Sequence, residues 1–189
     1  MYKTSSPIRL LAIDPGSRYL GVAVFENLRL LDWRIKLTYA QEGDCQAAVS
    51  CARKVVRLYM KRYEIKSLVV KRCDHCRGRK SEVVTAMVKE FQRFGKQQRL
   101  QVSACDPDKA RKFFCKERRA ATMEVAKIIT SEWYPFLSHL YEKTKAKPWY
   151  REKYYLQMFL AIALGLYWLL RFHQKQLPSG PQNEVNYPY

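Results

Sequence analysis

The sequence predicts an α/β domain built on five strands, and three observations carry that expectation. Residues 10–25 read LLAIDPGSRYLGVAVF, two short apolar runs on either side of Pro15-Gly16-Ser17, the pattern of a β-hairpin. Farther on, Ala48, Cys51, Ala52, Val55, Val56 and Tyr59 recur at helical spacing, with Lys and Arg on the opposite face. Beyond them, short apolar runs at 67–70 and 100–104 alternate with helical stretches, and strands alternating with helices build layered α/β sheets.

Taken in order, residues 1–7 are a polar lead-in, and strands are expected at 8–13, 19–25 and 28–37. Three consecutive strands joined by tight turns form an antiparallel meander. A loop at 39–44 leads to a helix over 47–62, then to the short strand 67–70, which ends at Lys71. The basic loop KRCDHCRGRK opens a helix over 81–95, with Val84, Met87, Val88 and Phe91 on one side. A fifth strand at 100–104 is stopped by Asp106-Pro107-Asp108, which starts a short helix reaching Cys115. Residues 116–119 are a basic linker and 120–134 a helix broken by Pro135. A short helix or turn follows, then a basic loop at 143–148, then a long helix over 149–173. The domain is therefore read as 1–173, with 174–189 a Pro-, Gly- and Asn-containing tail taken as disordered. The unbroken apolar run 158–170 is thirteen residues long. A spanning helix needs ~18–20 residues, so the run is read as core and no membrane is expected.

With 48% hydrophobic residues the chain can bury a full core. Its charge points to a partner: 35 Lys and Arg stand against 17 Asp and Glu, a formal +18. That excess repels itself unless a polyanion relieves it, which makes nucleic acid the leading partner over an anionic membrane surface. The six cysteines, Cys45, Cys51, Cys73, Cys76, Cys105 and Cys115, show no dense disulfide spacing. They are read as reduced thiols in a cytoplasmic, reducing compartment. Cys73-Asp74-His75-Cys76 has the spacing of half a zinc site, but Cys105 and Cys115, ten residues apart, make a poor second half.

The wording Ile13-Asp14-Pro15-Gly16-Ser17-Arg18 resembles the first strand of RuvC-type Holliday-junction resolvases, within the RNase H-like superfamily. Actin-like and sugar-kinase ATPases also place an Asp before a Gly turn, but they need two large domains. The resemblance extends over most of 8–170, including Ala121-Thr122-Met123-Glu124-Val125-Ala126 and Trp149, Tyr154 and Met158-Phe159. It implies an RNase H-like fold: a mixed five-stranded sheet, three antiparallel strands first, with helices on both faces. It also implies a nuclease centre in which carboxylates hold two Mg²⁺ or Mn²⁺ ions about 4 Å apart. Of those carboxylates, Asp14 alone stands where the resemblance puts one. The fourth strand should end in Glu and ends in Lys71; the last helix should carry Asp and has Leu160 or Met158 in its place, with Tyr155 at a further acidic position. Asp74 and Glu82 are the nearby acids that could swing in; Glu152 lies too far back along the helix.

Two expectations follow. Strands one and four are neighbours in this fold, so the Lys71 ammonium is expected to pair with Asp14 and leave no vacancy for a dication. The chain is then a nuclease-like protein without a cofactor, that binds branched or structured DNA. The alternatives are an active endonuclease, with Asp14 as catalytic residue and metal ligand and Mg²⁺ or Mn²⁺ as cofactor, and a basic RNA-binding subunit of a ribonucleoprotein. DNA is favoured over RNA by the resemblance, which also implies homodimers. The candidate nucleic-acid contacts are Arg18, Lys71, Arg72, Arg77, Arg79 and Lys80 around the strand ends, then Arg118 and Arg119, then Lys147, Arg151 and Lys153, interleaved with Trp149, Tyr150 and Tyr154.

Overall fold

The computed structural model describes residues 7–38, 44–73, 79–115, 121–146 and 154–176. Five strands form one sheet: β1 (Arg9–Pro15), β2 (Tyr19–Glu26), β3 (Arg29–Leu37), β4 (Ser67–Lys71) and β5 (Gln101–Cys105). Their order is β3-β2-β1-β4-β5. β1 to β3 form the antiparallel meander, while β4 and β5 join parallel to β1. This is the mixed, meander-first sheet that the resemblance implies.

Side chains alternate across a strand, and the sheet shows it. Leu11, Ile13, Val22 and Val24 face α1 (Cys45–Tyr63) and α2 (Arg79–Gln97). Leu10, Ala12, Ala23 and Phe25 face the other layer. That layer holds α3 (Pro107–Phe114), α4 (Thr122–Ile128), α5 (Ser138–Ala146) and α6 (Tyr154–Gln176).

The helices begin and end for local reasons. Asp44 caps α1 by accepting from the Ala47 N–H at 2.8 Å, and Glu64 closes it at φ 50° with its N–H on Met60 O. Asp106 caps α3 by accepting from the Asp108 N–H, with Pro107 in the first helical position, where its missing N–H costs nothing. The Glu124 carboxylate accepts from the Ala121 N–H and starts α4.

Three boundaries differ from the sequence reading. The helix expected over 120–134 is α-helical only to Ile128, then widens into a π-helical turn, Ile129–Trp133, that delivers Tyr134. The Tyr134 hydroxyl donates to Leu28 O, 2.7 Å away across the sheet end, so a tertiary contact accompanies the extra residue. The stretch from 143 is not a loop: α5 continues to Ala146, with Thr144 buried against the core. α6 extends to Gln176, past the boundary placed at 173; residues 149–153 and the rest of the tail lie outside the described residues.

α6 crosses the sheet antiparallel to β1, with Gln157 over Gly21 at one end and Gly165 over the Phe25 ring at the other. Its middle, Phe159 and Ala161 to Leu164, is fully buried. A Cβ on Gly21 would run into the Gln157 carbonyl and stand 2.7 Å from the Met158 nitrogen. Those are backbone atoms, which cannot swivel aside. Gly21→Ala should therefore cost about 3 kcal/mol through overpacking, read as a lowered urea midpoint. A midpoint equal to wild type would mean that α6 does not sit this close to β2.

Candidate functional site

The C-terminal ends of β1 and β4 gather the sequence-predicted centre. Asp14 pairs across the sheet with Gly21, and its neighbour strand β4 runs parallel, so Lys71 emerges on the same edge and the same face. The Lys71 Nζ lies 3.2 Å from Asp14 Oδ1, with Asp14 1% exposed and the Lys71 side chain 26% exposed. The expected pair is present. It is a charge contact rather than an aligned hydrogen bond, since neither Asp14 oxygen has a hydrogen-bond partner among the described residues.

Burial pushes the Asp14 carboxyl above the usual carboxylate range; the Lys71 ammonium, and more weakly the Arg111 guanidinium, pull it back without cancelling the shift. Arg111, on the inner side of α3, also pairs with Asp108. Sequence reasoning missed Arg111, and only its place in the helix opened by Asp106-Pro107-Asp108 could have hinted at it. It missed Gln157 too. This side chain packs over Gly16 and the Asp14 turn, and its Oε1 is buried without a hydrogen-bond partner among the described residues. The signal was available: Gln157 is the one polar residue immediately before the apolar run of the last helix.

The described residues do not assemble a two-metal centre. Octahedral Mg²⁺ demands several oxygens, and among the described residues no group of three or more His, Cys, Asp and Glu side chains is placed to hold a metal ion. Met158 and Leu160, on the acidic positions implied by the resemblance, are apolar and buried at 2% and 8% exposure. Glu82 is exposed in the first turn of α2; Asp74 and Glu152 lie outside the described residues. What occupies the position is one carboxylate facing one ammonium, an arrangement that holds charge but offers no metal-bound water.

Of the candidate contacts, Arg18 and Arg72 are exposed at this edge beside Lys71. Thr38 ties the Arg18 turn to the end of β3 through Arg18 O, and the Arg72 N–H donates to Cys105 O at 2.7 Å. Arg79 and Lys80 open α2. Arg77, Arg118, Arg119, Lys147, Arg151 and Lys153 lie outside the described residues, as do Trp149 and Tyr150. The cysteines correct one reading. Cys45, Cys51, Cys105 and Cys115 are reduced thiols, but Cys73 is disulfide-bonded; Cys76 lies outside the described residues. Burial and the adjacent Asp106 push the Cys105 thiol up to about 12. It stays protonated at neutral pH.

Comparison with solved structures places this geometry. Thermus thermophilus RuvC aligns with a TM-score of 0.62 and 17% identity, over 89% of this chain and 96% of its own. The same protein in complex with Holliday junction substrate gives 0.60 and 16%, over 89% and 95%. The yeast mitochondrial Holliday junction resolvase Ydc2 gives 0.60 and 8%, over 88% and 81%. The chain has a RuvC-like fold. No family model matches the sequence, and no curated protein does. The fold is thus shared at an identity where most side chains differ. No helix among the described residues is long and apolar enough to cross a membrane.

The Asp14–Lys71 pair has a pH signature. A carboxyl raised in the folded state contributes most stability at low pH and loses it as pH rises through the raised value. Lys71→Met removes the counter-charge and raises Asp14 further, so it should cost about 2–3 kcal/mol at pH 7 and progressively less as the medium is acidified toward ~4. Adding Asp14→Asn to Lys71→Met should recover most of that loss. Urea unfolding across the pH range checks this; a penalty independent of pH would mean that Lys71 matters only through its packing.

Proposed function

We propose that this chain is a nucleic-acid-binding pseudo-nuclease that binds branched or structured DNA through a RuvC-like surface without cleaving it. The observation that carries the reading is the Lys71 ammonium 3.2 Å from the single retained acid, Asp14, where the resemblance calls for a second carboxylate. Binding draws support from the formal +18 charge. It draws further support from the exposed Arg18 and Arg72 at the strand edge, and from the Holliday junction substrate bound by one of the structural neighbours. Arg77, Arg79, Lys80, Arg118, Arg119, Lys147, Arg151 and Lys153 extend the proposed surface, and DNA is proposed over RNA. The fold unit is proposed to close with the end of α6, at Gln176 rather than 173, and to pair as a homodimer.

The mechanism is electrostatic positioning. Cations at the edge neutralise phosphates and release condensed counter-ions. Lys71 spends its charge largely on Asp14, so the exposed Arg18 meets phosphate first. Pairing Asp14 also keeps an uncompensated carboxylate from repelling the backbone.

End-labelled four-way DNA junction, incubated with the protein in Mg²⁺ or Mn²⁺, should be shifted on a native gel and remain intact on a denaturing gel. Asp14→Ala, which frees the Lys71 charge, should leave the junction uncut and its shift at least as strong. Symmetric cuts abolished by Asp14→Ala would instead establish a metal-dependent endonuclease with an acid supplied from elsewhere, such as Asp74. Tighter binding to structured RNA than to the junction would establish the ribonucleoprotein reading.

A further inference from the structure

Away from Asp14, a cleft of about 880 Å³ opens between α3, the end of β5 and the C-terminal half of α6. Arg72, Lys109, Lys112 and Arg171 bring four cations to its walls against one acid, Asp106, whose side chain is already engaged in capping α3. Three aromatic residues, Phe113, Tyr167 and Trp168, stand among them. Phe113 is 39% exposed and follows Lys112 on α3, one turn beyond Lys109. Its ring is held edge-on by Phe114 at 5.2 Å and by Tyr167 at 5.4 Å, and the Arg171 guanidinium lies over Tyr167, 5.7 Å from its centroid. The α6 wall begins ten residues past Gln157, which is about 15 Å along a helix, so the cleft is not the Asp14 centre.

We propose that this cleft is a second nucleic-acid subsite, which takes an unpaired nucleotide: the base stacks on the exposed Phe113 ring, which Tyr167 supports edge-on, and its phosphates lie on Lys109, Lys112 and Arg171. The inference rests on the nucleic-acid-binding reading above and names what else the surface engages. Cations alone would suit any polyanion. An exposed ring fixed by two neighbours adds a stacking platform, the combination that takes single strands without regard to sequence. Arg72 argues for a strand rather than a free small anion. It follows Lys71 directly and also lines the cleft, so a chain leaving the β1–β4 edge meets cations continuously into it.

Fluorescence anisotropy with the full chain tests this, using labelled oligothymidylate of about twelve nucleotides, within the usual single-strand site size, a blunt duplex of equal length, and a four-way junction. Phe113→Ala and Phe113→Leu should each weaken oligothymidylate binding about ten-fold and leave the blunt duplex within about two-fold. Phe113→Leu keeps apolar packing on Phe114 and Tyr167 while removing the ring face, and Phe113→Trp should retain binding. Lys112→Gln should lower the salt slope for oligothymidylate by about 0.7. Equal losses on single strand and duplex, or no loss in either Phe113 variant, would overturn the subsite. Wild-type binding to the junction but not to oligothymidylate would overturn it and leave the proposed function standing. Phe113-dependent oligothymidylate binding without junction binding would support the subsite and sink the junction reading.

Discussion

The close passage of α6 over β1 and β2 is the constraint on which the rest of the structure depends. It is possible because Gly21 and Gly165 carry no side chain where helix and sheet meet, at the Gln157 carbonyl and the Phe25 ring respectively. Ala161 and Ala163 keep the helix close between these points, and Met158, Phe159 and Ile162 fill the layer beside them. The apolar run of α6 is thus explained by its position between the sheet and α3–α4, without any lipid. The same closeness buries the turn after Asp14 and takes water from its carboxylate.

That desolvation sets the chemistry of the strand edge. A buried carboxylate must protonate, pair or ligate. In a metal nuclease the third course is taken, and several acids share the charge of the ions. Here the partner is a single ammonium, supported more distantly by Arg111, and the burial penalty still outweighs both. Arg111 is itself divided between Asp14 and Asp108, which limits how far it can compensate. The pair is therefore better understood as occupying the site than as stabilising the fold.

Much of this was legible in the sequence, and the reason is locality. The order of elements along the chain followed from alternating short apolar runs and helical spacings, and the adjacency of Asp14 and Lys71 from the resemblance, which sets β1 beside β4. Features decided by distant contacts were not legible. The π-helical turn at Ile129–Trp133 belongs with a hydroxyl–carbonyl contact between Tyr134 and Leu28, and no local signal encodes it. Gln157 reads as one polar residue in a helix until Gly16 and Gly21 are seen beneath it. Arg111 reads as one more surface cation, and only the direction of α3 turns it inward while Lys109 and Lys112 face out. Phe113 was similarly silent, since an aromatic beside Phe114 suggests core rather than an exposed ring.

The division of labour within α3 links the two surfaces. Arg111 lends its charge to the carboxylate at the strand edge, while residues one position to either side, Ala110 and Lys112, enter the core and the cleft respectively. On the proposed reading, Lys71 at the end of β4, where the resemblance calls for an acid, changes the sign of what a phosphate would meet. An acid cluster repels the backbone until dications bridge it, whereas an Asp14 paired with Lys71 and flanked by the exposed Arg18 and Arg72 would attract it at any metal concentration. A site without the second acid and a strongly basic chain are then not opposed. The first would free binding from the ions, and the second would supply the attraction that they otherwise provide.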